Sequence, residues 1–224
     1  MRFLVIEGLD GSGKSTQVEL LSAYLEKRSI KFKYLHFPRL EIGVYGKLIA
    51  RFLRGEMGDI DQVDPYLVAL IFAGDRKDAV PVLEEWINSN DLVIVDRYVY
   101  SNIAFQCAKI AKVTEQQELA DWIMELEYGN HNLPVPDLNI FLDVPFDFTR
   151  QRLSESRGGE ERDYLRGAVD IHEKNLEFQE KVRQVYHTIC VGKGNLRILN
   201  CADESGQMRS ADLVFKDLIQ IIGL

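Results

Sequence analysis

A glycine-rich segment near the amino terminus combines residues that could bind a phosphate chain. Residues 8–16, GLDGSGKST, match the pattern G-x-x-x-x-G-K-[ST] in full. Glycine permits tight turns that bring successive backbone N–H groups to phosphate oxygens, and a following helix adds the positive end of its dipole. The Lys14 ammonium would contact the β- and γ-phosphates, and the Ser15 hydroxyl could ligate Mg²⁺. We therefore predict nucleoside triphosphate binding by Gly8, Asp10, Gly11, Ser12, Gly13, Lys14, Ser15 and Thr16.

An aspartate and an arginine stand together after a second apolar run. Asp96 and Arg97 follow residues 92–95, and a carboxylate at a strand end can hold Mg²⁺ or its waters while a neighbouring guanidinium binds a phosphate. A surface ion pair is the plainer interpretation. A regulatory GTPase would carry N-K-x-D, which the sequence lacks, whereas an ATP-driven motor stays open. A small-molecule kinase accounts for more of these residues, with Lys14 and Asp96 catalytic and with Ser15 and Asp96 as metal ligands.

The composition is that of an acidic globular protein. The 224 residues carry a formal net charge of −8 and 46% of them are hydrophobic, so we expect a sizeable core and no broad nucleic-acid surface. Three cysteines without C-x-x-C spacing predict reduced thiols. No apolar run reaches the roughly 18–20 residues of a membrane span, and no signal-peptide pattern is present, so we expect a cytoplasmic protein without a membrane partner.

Apolar runs alternate with helical periodicity along the chain. Strands are predicted at residues 3–6, 32–37, 91–96, 138–144 and 196–199. Helices are predicted at residues 14–27, 42–53, 65–86, 101–107, 115–128, 146–153, 169–186 and 210–222. Pro81 should begin a new helix or kink the one that contains it. This alternation predicts an α/β fold, a single doubly wound domain over residues 1–224 with a parallel sheet of about five strands flanked by helices.

Several short motifs accompany the phosphate loop in an order found in one family. They are FPR at residues 37–39, Phe72 with Arg76, DRY at 96–98 followed by Ser101 and Asn102, and PDL at 136–138. Over roughly residues 1–190 this arrangement resembles the thymidylate kinases, which have a P-loop NTPase-type fold with a lid. The resemblance implies transfer of the γ-phosphoryl group of Mg·ATP to dTMP, and a homodimer.

The resemblance also implies a binding site for dTMP. Phe72 would stack on the thymine and Arg76, one helical turn later, would contact its edge, although an aromatic residue on an apolar helix face is often part of the core. Asp10 would meet the 3′-hydroxyl, and Phe105 would lie against the sugar unless it only packs its helix. The implied dTMP-binding residues are Asp10, Phe37, Pro38, Arg39, Phe72, Arg76, Arg97, Ser101, Asn102, Phe105 and Gln106.

Residues 150–166 resemble the lid of this family. The segment carries arginines among acidic residues and glycines, and Gly158-Gly159 could act as a hinge. Some thymidylate kinases place an arginine in the phosphate loop, and others supply it from the lid; glycine at position 11 resembles the second group. Arg157, and next Arg162, would then stabilise the transferring phosphoryl group, while Arg152 would stack on the adenine of ATP. A solvated charged loop is the plainer interpretation.

Two other functions stay open on the sequence alone. A deoxynucleoside kinase would phosphorylate a 5′-hydroxyl with a carboxylate base, for which Glu7 or Asp96 could serve. An ATP-binding regulatory module would bind ATP and close its lid without an acceptor. The FPR segment and Arg97 favour an acceptor that already bears a phosphate, because the guanidinium fork binds phosphate with defined geometry.

Overall fold

The structure of the chain, a computed structural model, describes residues 2–60, 62–89, 91–154, 165 and 170–224, without the side chains of residues 173 and 174. Within these residues the chain has five strands, β1 (Phe3–Gly8), β2 (Phe32–His36), β3 (Leu92–Asp96), β4 (Leu138–Asp143) and β5 (Leu196–Asn200). They form one parallel sheet in the order β2-β3-β1-β4-β5. The predicted fold class is confirmed.

The order of the strands decides which chain segments meet at the carboxyl edge of the sheet. The central strand β1 pairs with both β3 and β4. Its register sets Ile6 opposite Asp96, so the loop that leaves β1 lies beside the segment that leaves β3. In parallel α/β sheets the ligand-binding crevice lies outside the carboxyl ends of the strands. This register therefore brings the phosphate-loop pattern and the Asp96-Arg97 pair to one place.

Nine helices are present in the described ranges, and they cover both faces of the sheet. They are α1 (Lys14–Lys27), α2 (Gly43–Leu53), α3 (Pro65–Asn88), α4 (Val99–Cys107), α5 (Val113–Met124), α6 (Phe146–Ser154), α7 (Ile171–Lys174), α8 (Leu176–Val185) and α9 (Ala211–Ile222). Two π-helical turns, Glu125–Asn130 and Tyr186–Cys190, follow α5 and α8, and a short 3₁₀ turn, Val191–Lys193, follows the second.

Side chains alternate between two hydrophobic cores, one on each face of the sheet. In β1, Leu4 and Ile6 pack in a core that also contains residues of α1 and α9, whereas Phe3 and Val5 belong to a larger core with residues of α2, α3, α4, α5 and α8. Successive strand side chains point to opposite faces, and a sheet buried on both faces needs apolar residues at both sets of positions. The continuous apolar runs of β1 and β3 meet this need.

The single long helix predicted at residues 169–186 is wrong. The structure has two helices there, α7 and α8, because Asn175 is extended at φ −108° and ψ 97°. Its side-chain oxygen accepts a hydrogen bond from the backbone N–H of Phe178 at 3.0 Å, which caps α8 and competes with continuation of α7. Pro81 lies inside a continuous α3, so it does not begin a second helix.

The thiols and the helix lengths bear on two further expectations. Cys107, Cys190 and Cys201 are free and buried, as the absence of C-x-x-C spacing predicts. In the described part of the chain, no helix is both long enough and apolar enough to cross a membrane.

Candidate active site

The phosphate-loop pattern forms the turn between β1 and α1. Gly11 and Gly13 adopt left-handed backbone conformations, with φ of 75° and 84°, which side chains with a Cβ disfavour. A Cβ at Gly8 would lie 2.5 Å from Ser12 Oγ, so a larger residue there would collide with the loop. The helix α1 begins at Lys14, and its amino terminus therefore opens onto the loop. The local structure is the one that the sequence predicts for binding phosphate.

Lys14 is folded back over its own loop. Its Nζ atom donates hydrogen bonds to the carbonyl oxygens of Gly8, at 3.3 Å, and Leu9, at 3.0 Å. Burial, reinforced by the nearby positive charge of Arg97, lowers the pKa of Lys14 to about 8, against the opposing influence of neighbouring carboxylates. A desolvated ammonium gains most from an incoming anion, so a phosphate would raise this pKa again.

Asp10 is held from two sides. Its Oδ1 atom lies 2.7 Å from Arg97 Nη2, and its Oδ2 atom accepts a hydrogen bond of 2.8 Å from Gln179 Nε2. Burial, the largest influence, acts to raise the pKa of Asp10, but the positive charges of Arg97 and Lys14 outweigh it and the pKa is lowered. Gln179 also donates to the carbonyl oxygen of His172 at 3.0 Å. It thus joins the phosphate loop to α7 and α8.

Asp96 lies at the end of β3, beside the loop. Its Oδ2 atom is 3.2 Å from Nδ1 of His36, while its buried Oδ1 atom has no hydrogen-bond partner among the described residues. Burial acts to raise the pKa of Asp96, but Lys14 and His36 outweigh it, and the pKa is lowered. Ser15, the other predicted metal ligand, is exposed at the first turn of α1. Both side chains offer the oxygen ligands that Mg²⁺ prefers.

Glu7, a fully buried carboxylate behind the loop, organises the start of α4. Its Oε1 atom accepts from the backbone N–H groups of Tyr98, at 3.0 Å, and Ser101, at 3.3 Å. Its Oε2 atom accepts from the hydroxyl groups of Ser101 and, at 2.9 Å, Tyr186. Burial raises the pKa of Glu7 despite these donors. The network fixes the backbone around Arg97, whose φ of 66° is unusual for a residue with a side chain.

Two more predicted acceptor arginines are each held by a buried carboxylate. Arg39 donates through Nε to Asp75 Oδ1 at 2.9 Å, and its backbone N–H donates to Oδ2 at 2.9 Å. Arg76 is paired with Glu127 through two hydrogen bonds, one of them 2.7 Å from Nη2 to Oε1. Such bidentate pairs fix the direction of a guanidinium group. The acceptor arginines are therefore oriented before any ligand arrives.

The remaining polar residues predicted to bind the acceptor lie on α4. Asn102 donates through Nδ2 to the carbonyl oxygen of Ala69, at 3.0 Å, and to Glu127, at 2.8 Å. The Ser101 hydroxyl is engaged with Glu7 and lies 3.3 Å from Arg97 Nη1. In the described ranges, Oδ1 of Asn102 and Oε1 of Gln106 are buried and lack a partner.

Aromatic rings border this cluster. Phe105 lies 5.1 Å from the Arg97 guanidinium carbon and 5.0 Å from the ring of His172. Phe72 is half-buried and packs edge-on against Phe52 at 6.5 Å. Burial is the main reason that the pKa of His172 falls to about 3, so this imidazole is neutral at physiological pH. Phe37, in the FPR segment, is buried, and its peptide bond to Pro38 is cis.

A cavity opens beside the phosphate loop. It has a volume of about 180 Å³, and Thr16 and Ser12 of the loop line it together with Arg152 of α6. The segment between β5 and α9 contributes Met208 and Arg209, which belong to no motif of the sequence. The guanidinium carbon of Arg152 lies 5.4 Å from the Phe148 ring. The predicted lid arginines Arg157 and Arg162 lie outside the described residues.

Several residues that hold the site together could not be identified from the sequence. Glu127, Asp75 and Gln179 are almost completely buried, at 0%, 1% and 0% exposure, and each contacts a predicted ligand-binding side chain. The one signal available was a polar residue at a position that helical periodicity assigns to the apolar face. Such a signal marks a residue as unusual but does not name its partner.

Comparisons with known proteins agree with this geometry. The sequence model of the thymidylate kinase family matches residues 6–211. Thymidylate kinase from Mycobacterium tuberculosis is 36% identical over 183 residues, which cover 82% of this chain and 83% of that one. The probable thymidylate kinase of Pyrococcus horikoshii is 30% identical and covers 99% of this chain and 98% of its own.

A solved structure extends the likeness to three dimensions. The thymidylate kinase from Candida albicans superposes with a TM-score of 0.71 at 27% identity, covering 99% of this chain and 91% of that one. The phosphate loop, the buried arginine cluster and the parallel sheet thus occur together in a chain that matches the family over nearly its full length. This protein belongs to the thymidylate kinase family.

Proposed function

We propose that the chain transfers the γ-phosphoryl group of ATP to a phosphate oxygen of dTMP, giving dTDP and ADP. The contact of 2.7 Å between Asp10 and Arg97 carries this proposal. It joins the loop suited to a donor triphosphate to an arginine suited to a second phosphate. Family membership supports both substrates.

The proposed mechanism relies on positioning and charge. The acceptor phosphate is already anionic near neutral pH, so in-line transfer needs no strong general base. Lys14 would contact the donor phosphates, and Arg39 and Arg97 would hold the acceptor phosphate. Because their carboxylate partners already orient both arginines, little reorganisation would remain at the moment of transfer. Arg157, and next Arg162, stay our predictions for the lid arginine that stabilises the transferring group.

We propose Ser15 and Asp96 as the residues that would hold Mg²⁺. The buried Oδ1 atom of Asp96, which has no partner in the described ranges, supports this assignment, as does the exposed position of Ser15 at the start of α1. When bound, the ion would neutralise charge on the donor phosphates. Few protein ligands are expected, because Mg²⁺ keeps several waters and binds substrate phosphates directly.

The two substrates would occupy opposite sides of the phosphate loop. The cavity beside Arg152 and Thr16 would take the adenine of ATP, with the guanidinium group stacked on the base. On the other side, Phe72 would stack on thymine, and Arg76, Asn102 and Gln106 would contact its edge. Phe105 would lie against the sugar and Asp10 would meet the 3′-hydroxyl. The Ser101 hydroxyl is engaged with Glu7, so any part it has in acceptor binding would act through that network.

One assay separates the proposed function from its alternatives. ADP formation is measured with Mg·ATP and, in turn, dTMP, dUMP, dCMP, dGMP, AMP and thymidine. We expect dTMP to give the largest stimulation, and Lys14→Ala to reduce it by orders of magnitude while its circular dichroism spectrum stays unchanged. Greater stimulation by thymidine would favour a deoxynucleoside kinase. No stimulation by any acceptor, with ATP binding intact, would favour a regulatory module.

We also propose that the chain is a homodimer that pairs through α3. Leu67 and Leu70 are 59% and 43% exposed on one face of this helix, and apolar residues grouped in this way often mark an interface. Light scattering after size-exclusion chromatography should give twice the chain mass. Leu67→Glu should shift the mass to that of a monomer, whereas the control Leu213→Glu, at an exposed leucine on α9, should not. The cytoplasmic location expected from the sequence stays a prediction that cell fractionation would test.

A further inference from the structure

Glu127 holds two predicted base-reading side chains at once. It lies in the π-helical turn after α5 and is 0% exposed. Its Oε1 atom accepts from Arg76 Nη2 at 2.7 Å and from Asn102 Nδ2 at 2.8 Å. Arg76 comes from α3 and Asn102 from α4, so one carboxylate connects three elements. Single π-helical turns are rare, and those that occur are often located at functional sites.

The surroundings of Asn102 fix the orientation of its amide group. Nδ2 lies between Glu127 Oε1 and the carbonyl oxygen of Ala69, at 2.8 Å and 3.0 Å. A carbonyl oxygen and a carboxylate can only accept hydrogen bonds, so the NH₂ group must point to them. Rotating the amide by 180° would set oxygen against oxygen at both positions. The side-chain oxygen must therefore point the other way.

That oxygen is a buried acceptor that lacks a donor in the described part of the chain. A buried polar atom without a partner is costly and calls for an explanation, of which a ligand donor is one. The neighbouring Arg76 guanidinium carries donors only. Together the two side chains present one acceptor and one donor, both set by the same carboxylate.

This pattern distinguishes the pyrimidine bases. Thymine and uracil present an N3–H donor beside the O4 acceptor, which complements an amide oxygen beside a guanidinium group. Cytosine has an unprotonated N3 acceptor beside an amino donor, so both positions would meet a like group. We propose that Glu127 is the positioning residue that selects an N3-protonated pyrimidine over cytosine. This inference rests on the proposed function, since it takes dTMP as the acceptor.

The test compares Glu127→Gln with the unaltered enzyme. The new amide can donate to Asn102 Oδ1, which permits the rotated orientation and weakens the hold on Arg76. We expect KM for dTMP to rise about 10- to 100-fold with a smaller change in kcat. The ratio of kcat/KM for dTMP to that for dCMP should fall about tenfold or more, and the affinity for ATP should change less than about twofold.

Asp143→Asn is a matched control, because Asp143 is a buried carboxylate paired with Arg183 at 2.6 Å and 3.1 Å, apart from Arg76 and Asn102. It should lower stability without changing the dTMP/dCMP ratio. If Glu127→Gln does not fold, Glu127→Asp, which keeps the charge but withdraws the oxygens, should still lower the ratio. An unchanged ratio in a folded variant would overturn the inference. Failure of the unaltered enzyme to use dTMP would instead overturn the proposed function.

Discussion

Glu7 offers the sharpest test of how the site is built. In Glu7→Leu the side chain keeps a similar volume but loses every acceptor. The hydroxyl groups of Ser101 and Tyr186 lie 3.0 Å apart, so they can still pair with each other. The backbone N–H groups of Tyr98 and Ser101, at the start of α4, cannot find a substitute.

The cost follows from these orphaned donors. Each buried N–H without a partner costs about 1–3 kcal/mol, so two would cost about 2–6 kcal/mol. Removal of the Glu7 carboxylate offsets part of this cost, because a buried carboxylate whose pKa is raised is itself destabilising when ionised. We therefore expect a loss of about 2–4 kcal/mol in the free energy of unfolding, a large share of the usual total of about 5–15 kcal/mol.

Glu7→Gln is the matched control. Its amide oxygen can still accept both backbone N–H groups, and its NH₂ group can donate to the two hydroxyl oxygens, so we expect a loss below about 1 kcal/mol. Urea unfolding followed by circular dichroism at pH 7 measures both variants. If Glu7→Leu is as stable as Glu7→Gln, the carboxylate does not support α4 as we argue.

The unaltered protein and Glu7→Gln together give a dependence of stability on pH with a defined sign. Because the folded protein raises the pKa of Glu7 above its ordinary value of 4.5, the folded state binds its proton more tightly than the unfolded state does. The contribution of Glu7 to stability is fully present below about pH 4.5 and is lost as the pH rises through the folded pKa. The stability of the unaltered protein relative to Glu7→Gln should therefore fall over that interval and then level off. A difference that grows with pH would contradict the argument.

Three further predictions concern Lys14 in the phosphate loop, Gln179 beside that loop, and Gly46 in α2. Above pH 8 the affinity for ATP, measured by titration calorimetry, should fall by up to about tenfold per pH unit. The reason is that the pKa of Lys14 is lowered to about 8 in the free protein, so Lys14 must regain a proton to bind phosphate. Lys14→Arg should remove this dependence on pH. In steady-state kinetics, Gln179→Leu should raise the KM for the acceptor about tenfold and change the KM for ATP less than about twofold. The reason is that the Asp10 carboxylate loses the hydrogen bond that Gln179 donates to it. A larger change in the KM for ATP than in that for the acceptor would refute this role of Gln179. Gly46→Ala should lower the free energy of unfolding, measured in urea, by about 1–3 kcal/mol, because the new Cβ would lie 2.0 Å from the backbone oxygen of Arg39. A Cβ at Gly192 would have nothing within 4 Å. The control Gly192→Ala should therefore lower the free energy of unfolding by less.

Local patterns explain why much of the fold could be predicted. The phosphate loop is one continuous segment whose glycines and lysine act through neighbouring backbone atoms. Its conformation can therefore be predicted from its sequence alone. The apolar runs at β1 and β3 are buried on both faces, and their hydrophobicity shows in the sequence without any partner. The pairing of β1 with β3 then brings Asp96 beside the loop.

The supporting residues could not be predicted because their partners are distant along the chain. Arg76 and Glu127 are 51 positions apart, and Asp10 and Gln179 are 169 apart. No local periodicity encodes such a contact. The break between α7 and α8 was not predicted for a different reason. The Asn175 side chain caps the following helix, and this local hydrogen bond overrides an apolar repeat that runs through both segments.

The three buried thiols can report transient opening of the structure. Burial is the main reason that the pKa values of Cys107 and Cys201 rise to about 12, and it raises that of Cys190 as well. A thiol reacts as its thiolate, so a thiol-specific reagent would react mainly with molecules that have transiently opened. Cys201 borders the cavity proposed for adenine, whereas Cys107 and Cys190 lie in the core on the opposite side of the sheet. Labelling rates with and without ATP would thus separate a local opening at the donor side from unfolding of the whole structure.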